Sequence, residues 1–202
     1  HCRAARRLHG IQGEYLHPSS CRESEARHAA HRGVSGRDLA LPSLASVASE
    51  ERDQMVKIYA DGADIAQMHK MAENKAVRGF TTNPTLMRKA GVKDYRAFAA
   101  RAINSFPDYP LSLEVFADDF DGMEAQAREI SSWGDNVFVK IPITTTQGVS
   151  CCPLVSRLGA DGIKVNVTAI LCASQIDDVF AALRDAPAVI SVFAGRIADT
   201  GR

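Results

Sequence analysis

Apolar and polar residues alternate in six short segments, and each segment precedes a stretch with helical spacing. The pattern predicts strands at Lys57 to Asp61, Val77 to Thr82, Leu111 to Phe116, Asn136 to Ile141, Ile163 to Ile170 and Ala188 to Ala194. Side chains alternate across a strand, so Ile58 and Ala60 face one way while Lys57, Tyr59 and Asp61 face the other. The same split sets Leu113 and Val115 against Ser112, Glu114 and Phe116, and Val137, Val139 and Ile141 against Phe138 and Lys140. It sets Val165 and Val167 against Asn166 and Thr168, and Ile190 and Val192 against Ser191 and Phe193. One face suits helices and the other forms a polar interior. Stripes at a spacing of three or four predict core-facing helix surfaces: Ile65, Met68, Ala72; Tyr95, Phe98, Ala102, Phe106; Met123, Ala127, Ile130; and Ile176, Val179, Phe180, Leu183.

Strands alternating with helices imply an α/β fold with a parallel sheet, either a (β/α)8 TIM barrel or an open doubly wound sheet. Polar residues on nearly every strand favour the barrel, whose active sites draw on several strand ends. No Gly-x-Gly-x-x-Gly or P-loop sequence supports the nucleotide-binding alternative. Such a barrel takes about 250 residues, whereas residues 55–202 have room for the first six βα units only. The expectation is a barrel truncated at its C-terminus, with the first and sixth strands as open edges. Open edges invite aggregation or pairing with another chain, a homo-oligomer included.

Residues 1–54 differ in composition from the rest, with eight arginines, no lysine and five of the six histidines. They sustain neither strand nor helix period, and the change comes abruptly at Met55, the expected natural start. The division is therefore an irregular extension over 1–54 and a partial barrel over 55–202. A transit peptide would be poor in acids, which Glu14, Glu23, Glu25, Glu50 and Glu51 contradict. Cys2, Cys21, His28 and His31 fit no common structural zinc spacing.

A formal net charge of zero gives no basic stripe for nucleic acid or an anionic membrane surface, and no apolar run approaches the ~18 residues of a membrane span. Five cysteines form no disulfide framework, so the reducing cytoplasm is the expected compartment.

The residue that changes this picture is Lys140, in the middle of the apolar run from Asn136 to Ile143. A lysine is rarely buried without a partner or a purpose, and low dielectric favours its neutral, nucleophilic amine. This points to imine chemistry. The alternative is an edge-strand lysine whose stem packs while its ammonium reaches water.

Five motifs extend the reading: Ile58-Tyr59-Ala60-Asp61, Gly79-Phe80-Thr81-Thr82-Asn83-Pro84-Thr85-Leu86, Val139-Lys140-Ile141-Pro142, Val165-Asn166-Val167-Thr168 and Ser191-Val192-Phe193-Ala194-Gly195-Arg196-Ile197. Their order resembles the successive strand motifs of transaldolases and the related fructose-6-phosphate aldolases, over roughly residues 56–202. The resemblance implies a class I Schiff-base enzyme without metal or cofactor, acting on sugar phosphates in the pentose phosphate pathway. It implies transfer of a dihydroxyacetone unit from sedoheptulose 7-phosphate to glyceraldehyde 3-phosphate. Lys140 matches the Schiff-base lysine, Asp61 the acid/base at the C4 hydroxyl, and Glu114 and Thr168 the pair that holds a water. Asn83 and Asn166 match groups that hydrogen-bond the dihydroxyacetone part, and Ser191 and Arg196 match residues near the phosphate. Each has a plainer reading: a cap for Asp61, with Asp64 the better candidate, a structural partner of Lys140 for Glu114, and a turn for Asn83. Asn166 could satisfy its polar neighbours, and Arg196 could be a surface residue. Glu114 and Phe193 resemble the transaldolase side of the family, where the aldolases tend to have glutamine and tyrosine. The alternatives are an aldolase that releases free dihydroxyacetone, and an inactive fragment that only binds sugar phosphate.

Overall fold

The computed structural model describes residues 57–184 and 186–201. The expected extension over 1–54, its Cys2, Cys21, His28 and His31, and the start at Met55 lie outside the described residues. The chain runs β1 (Ile58–Asp61), α1 (Ile65–Ala72), β2 (Val77–Thr81), α2 (Pro84–Lys89), α3 (Tyr95–Ser105), β3 (Leu111–Glu114), α4 (Phe120–Ser131), β4 (Val137–Pro142), α5 (Cys152–Ala160), β5 (Val165–Ile170), α6 (Ala173–Leu183), β6 (Ala188–Val192) and α7 (Ala194–Ala198). Six strands pair in chain order, all parallel, into one curled sheet with β1 and β6 at its edges. This is a partial (β/α)8 barrel, as the alternation predicts.

Short polar side chains start the first four helices. Asp64, Asn83, Asp94 and Asp119 accept from the backbone N–H groups of Gln67, Leu86, Ala97 and Gly122 at 2.9, 2.9, 3.0 and 2.7 Å. Each supplies one orphan donor of a helix start with an acceptor, an arrangement that stabilises by about 1 kcal/mol. Pro84 occupies the first turn of α2, where its missing N–H costs nothing.

The convex face of the sheet carries the core. Val139, Ile141, Val165 and Val167 pack with Met123, Ala127 and Ile130 of α4, Leu154, Val155 and Leu158 of α5, and Val179 and Leu183 of α6. A second cluster joins Phe80 and Leu111 to Met68, Phe98, Ala102 and Phe106. A bulge at Ala169, whose φ of 62° lies in the left-handed region, breaks the β5–β6 register between Val167 and Ile170. The inserted residue flips the alternation. Ile170, which strict alternation would send to the concave face behind Thr168, joins the convex core instead.

Two expectations need correction. Phe180 belongs to the predicted core stripe of α6 yet is 63% exposed. Val179 and Leu183 turn into the core shared by the sheet and α5, and Phe180 lies outside that cluster. The predicted third, fifth and sixth strands also run too long, the fifth by Ile163 and Lys164 at its start. The backbone N–H groups of Phe116 and Ala117 turn out of the ladder to Gln126 Oε1, at 2.6 and 2.9 Å, and Phe193 is the N-cap residue of α7, which Ala194 begins. The periodic reading supplied no separate element for α2, which is only six residues long.

Candidate functional site

The concave face collects the polar residues. Lys140 is 6% exposed, and its register partners are Glu114 on β3 and Asn166 on β5. Lys140 Nζ lies 3.2 Å from Glu114 Oε2 and donates at 3.0 Å to the carbonyl oxygen of Thr82. The second bond passes over β3, so it requires the curl of the sheet. The snorkelling alternative for Lys140 does not describe this side chain, which is enclosed and engaged at its tip.

Burial pushes the Glu114 carboxyl above the usual carboxylate range; the Lys140 ammonium draws it back and the charge of Asp61 adds to the rise. That last influence places Asp61 within electrostatic reach of the same interior. Asp61 is not a helix cap, since Asp64 fills that role. Its Oδ1 accepts a hydrogen bond from the Thr81 hydroxyl on the neighbouring strand. Glu114 is also fixed from behind, where its backbone carbonyl accepts from the Tyr95 hydroxyl at 3.1 Å.

Asn166 is held at both ends of its amide. Its Nδ2 donates to Ser112 Oγ at 3.0 Å, and its Oδ1 accepts from Ser191 Oγ at 2.7 Å. Asn166 thus satisfies its polar neighbours, the plainer of its two readings. Thr168 is 2% exposed, and its hydroxyl has no hydrogen-bond partner among the described residues. A buried hydroxyl is rarely left so, which makes Thr168 a candidate for contact with a small polar guest. Asn83 caps α2 through its Oδ1, immediately after the Thr82 carbonyl that receives Lys140. Arg196 stands apart from this hydrogen-bonded group. It is exposed on α7, 3.9 Å from Asp199, beside an open depression lined by Phe193, Gly195, Arg196 and Asp199.

Sequence reasoning gave no role to Thr81, Thr82 or Ser112. The inward parity of Ser112 was a usable signal, whereas a backbone carbonyl such as that of Thr82 has no residue-type signature. Cys151 is buried and its thiol is pushed up to about 12 by that burial, so this sulfur packs as an apolar group. Among the described residues, no group of three or more His, Cys, Asp or Glu side chains could hold a metal ion, and no helix is long and apolar enough to cross a membrane.

The fold and site together define a partial (β/α)8 barrel with a buried, carboxylate-paired lysine on its concave face. A family model described as transaldolase/fructose-6-phosphate aldolase matches residues 58–202. Over 146 residues, 72% of this chain, it is 38% identical to a "Probable transaldolase" of Dehalococcoides mccartyi, 40% identical to one of Roseiflexus sp. and 36% identical to one of Streptococcus agalactiae. The aligned region spans 64% of the length of each of these relatives. The chain belongs to the transaldolase/fructose-6-phosphate aldolase family.

Proposed function

We propose that this chain forms a Schiff base between Lys140 and the C2 carbonyl of a ketose phosphate, and transfers the resulting dihydroxyacetone unit to an aldose phosphate. The donor would be sedoheptulose 7-phosphate and the acceptor glyceraldehyde 3-phosphate, a cytoplasmic step of the pentose phosphate pathway. The observation that carries the reading is the buried Lys140 amine, 3.2 Å from Glu114 on the concave face.

The neutral amine attacks C2, and the carbinolamine loses water to leave a protonated imine. Glu114, whose carboxyl is raised by burial, is suited to deliver a proton to the departing hydroxyl, with the Thr168 hydroxyl receiving the water. Asp61 then takes the proton of the C4 hydroxyl. The O–H pair becomes the new C4 carbonyl, the C3–C4 bond breaks, and its electron pair flows into the iminium to give an enamine. The aldose leaves, and the steps reverse on an acceptor aldehyde. Asn166, already oriented by Ser112 and Ser191, would meet the three-carbon fragment, and Arg196 would meet the phosphate through its fork of donors.

Borohydride reduction in the presence of fructose 6-phosphate, followed by intact mass and peptide mapping, tests this. The expected product is a dihydroxyacetone-derived adduct on Lys140, absent in Lys140→Ala. No adduct from a folded sample would overturn the reading. Release of free dihydroxyacetone without an acceptor would mark an aldolase instead.

A further inference from the structure

We infer that Thr81 is a positioning residue for Asp61: its hydroxyl fixes one carboxylate oxygen so that the other is presented to the substrate hydroxyl. The inference rests on the proposed imine chemistry. Asp61 and Thr81 are register partners at the carboxyl ends of β1 and β2, and Thr81 Oγ1 donates to Asp61 Oδ1. The Thr81 carbonyl accepts from Gly62 N at 3.0 Å, so Thr81 holds the backbone just after Asp61 as well as its side chain.

The geometry gives this contact weight. Strand β1 is an edge, paired only with β2 among the described residues, and Asp61 is exposed. An exposed aspartate on an edge strand samples several rotamers, and a proton acceptor must be held within hydrogen-bond reach of its donor. With Oδ1 committed to Thr81, proton transfer falls to Oδ2. The charge of Asp61 raises the Glu114 carboxyl, so the two carboxylates lie within electrostatic reach of each other.

The test uses the 202-residue chain, fructose 6-phosphate and borohydride quenching over time. A six-carbon adduct on Lys140 reports imine formation before cleavage, and a three-carbon adduct reports cleavage. In Thr81→Val the six-carbon adduct should form as in the parent while the three-carbon adduct appears about 10–100-fold more slowly, the range of a hydrogen bond to a charged group. Thr81→Ser, which keeps the hydroxyl, should restore the parental rate. If valine at this position prevents folding, Thr81→Ala read against Thr81→Ser makes the same comparison. Parental cleavage in Thr81→Val, or equal slowing in the valine and serine variants, would overturn the inference and leave the Lys140 reading intact. Neither adduct in the parent would overturn both.

Discussion

Lys140→Met removes the cation facing Glu114 while keeping an unbranched side chain of similar length. Removing one partner of a buried pair costs about 3–5 kcal/mol, but the Glu114 side chain is 20% exposed and can relieve its charge by taking a proton. The expected loss is therefore about 2–3 kcal/mol at pH 8, below the fully buried range. The pH dependence follows from linkage. Burial raises the Glu114 carboxyl above its usual 4.5, so the native state keeps this proton where the unfolded chain has lost it. The group's contribution to stability consequently falls as pH rises from the unfolded value through the raised native one. Without Lys140, the largest influence drawing the carboxyl down is gone, so the fall is deeper and reaches higher pH. Near pH 5 both states carry the proton to a larger extent, and the variant should lose no more than about 1 kcal/mol. At roughly 3 °C per kcal/mol for a domain of this size, thermal denaturation followed by circular dichroism should show Tm lowered by about 6–9 °C at pH 8 and by about 3 °C or less at pH 5. Adding Glu114→Gln should recover most of the loss at pH 8, because no ionisable group then remains unpaired. Equal losses at the two pH values, or no recovery in the double variant, would refute the coupling.

Two further substitutions separate roles that overlap in space. Asn83→Ala should cost about 1 kcal/mol through loss of the α2 cap, and Asn83→Asp should retain that stability in chemical denaturation; if Asn83 also donates to the substrate, both variants should trap less adduct. Gly79→Ala would bring a Cβ within 2.3 Å of Tyr59 Cε1 and 2.6 Å of its Cδ1, a clash expected to cost about 1–3 kcal/mol. Tyr59→Ala in the same chain should suppress that cost in a double-mutant cycle, and a strictly additive pair would show that the ring is not the obstacle.

The alternation of side chains made the concave face legible, because Ser112, Glu114, Lys140, Asn166, Thr168 and Ser191 share one parity and the curled sheet brings that parity inward. The bulge at Ala169 interrupts this alternation one residue after Thr168, so Asn166 and Thr168 keep the expected face and Ile170 changes face. Helix α2 escaped because six residues do not span two turns, too few for a period to declare itself. Phe180 was misassigned because a stripe of four positions spans a wide arc, and only the neighbouring elements decide which flank is covered. Contacts made by long side chains to backbone outside their own element, such as Gln126 to Phe116 and Ala117, and Lys140 to Thr82, depend on how the elements pack and leave no periodic spacing in the chain.

The bond from Lys140 to Thr82 joins β4 to β2 over an intervening strand. In a flat sheet those strands would lie about 9.6 Å apart, twice the strand spacing, and the chord between them shortens only as the sheet bends. Lys140 thereby acts as a caliper on the arc. If the sheet flattens, Nζ loses the Thr82 carbonyl first, while Glu114, on the adjacent strand, stays within reach. The partners available to the amine thus depend on the global curvature of the sheet, and whatever braces or releases its two margins changes the immediate surroundings of one nitrogen atom at its centre.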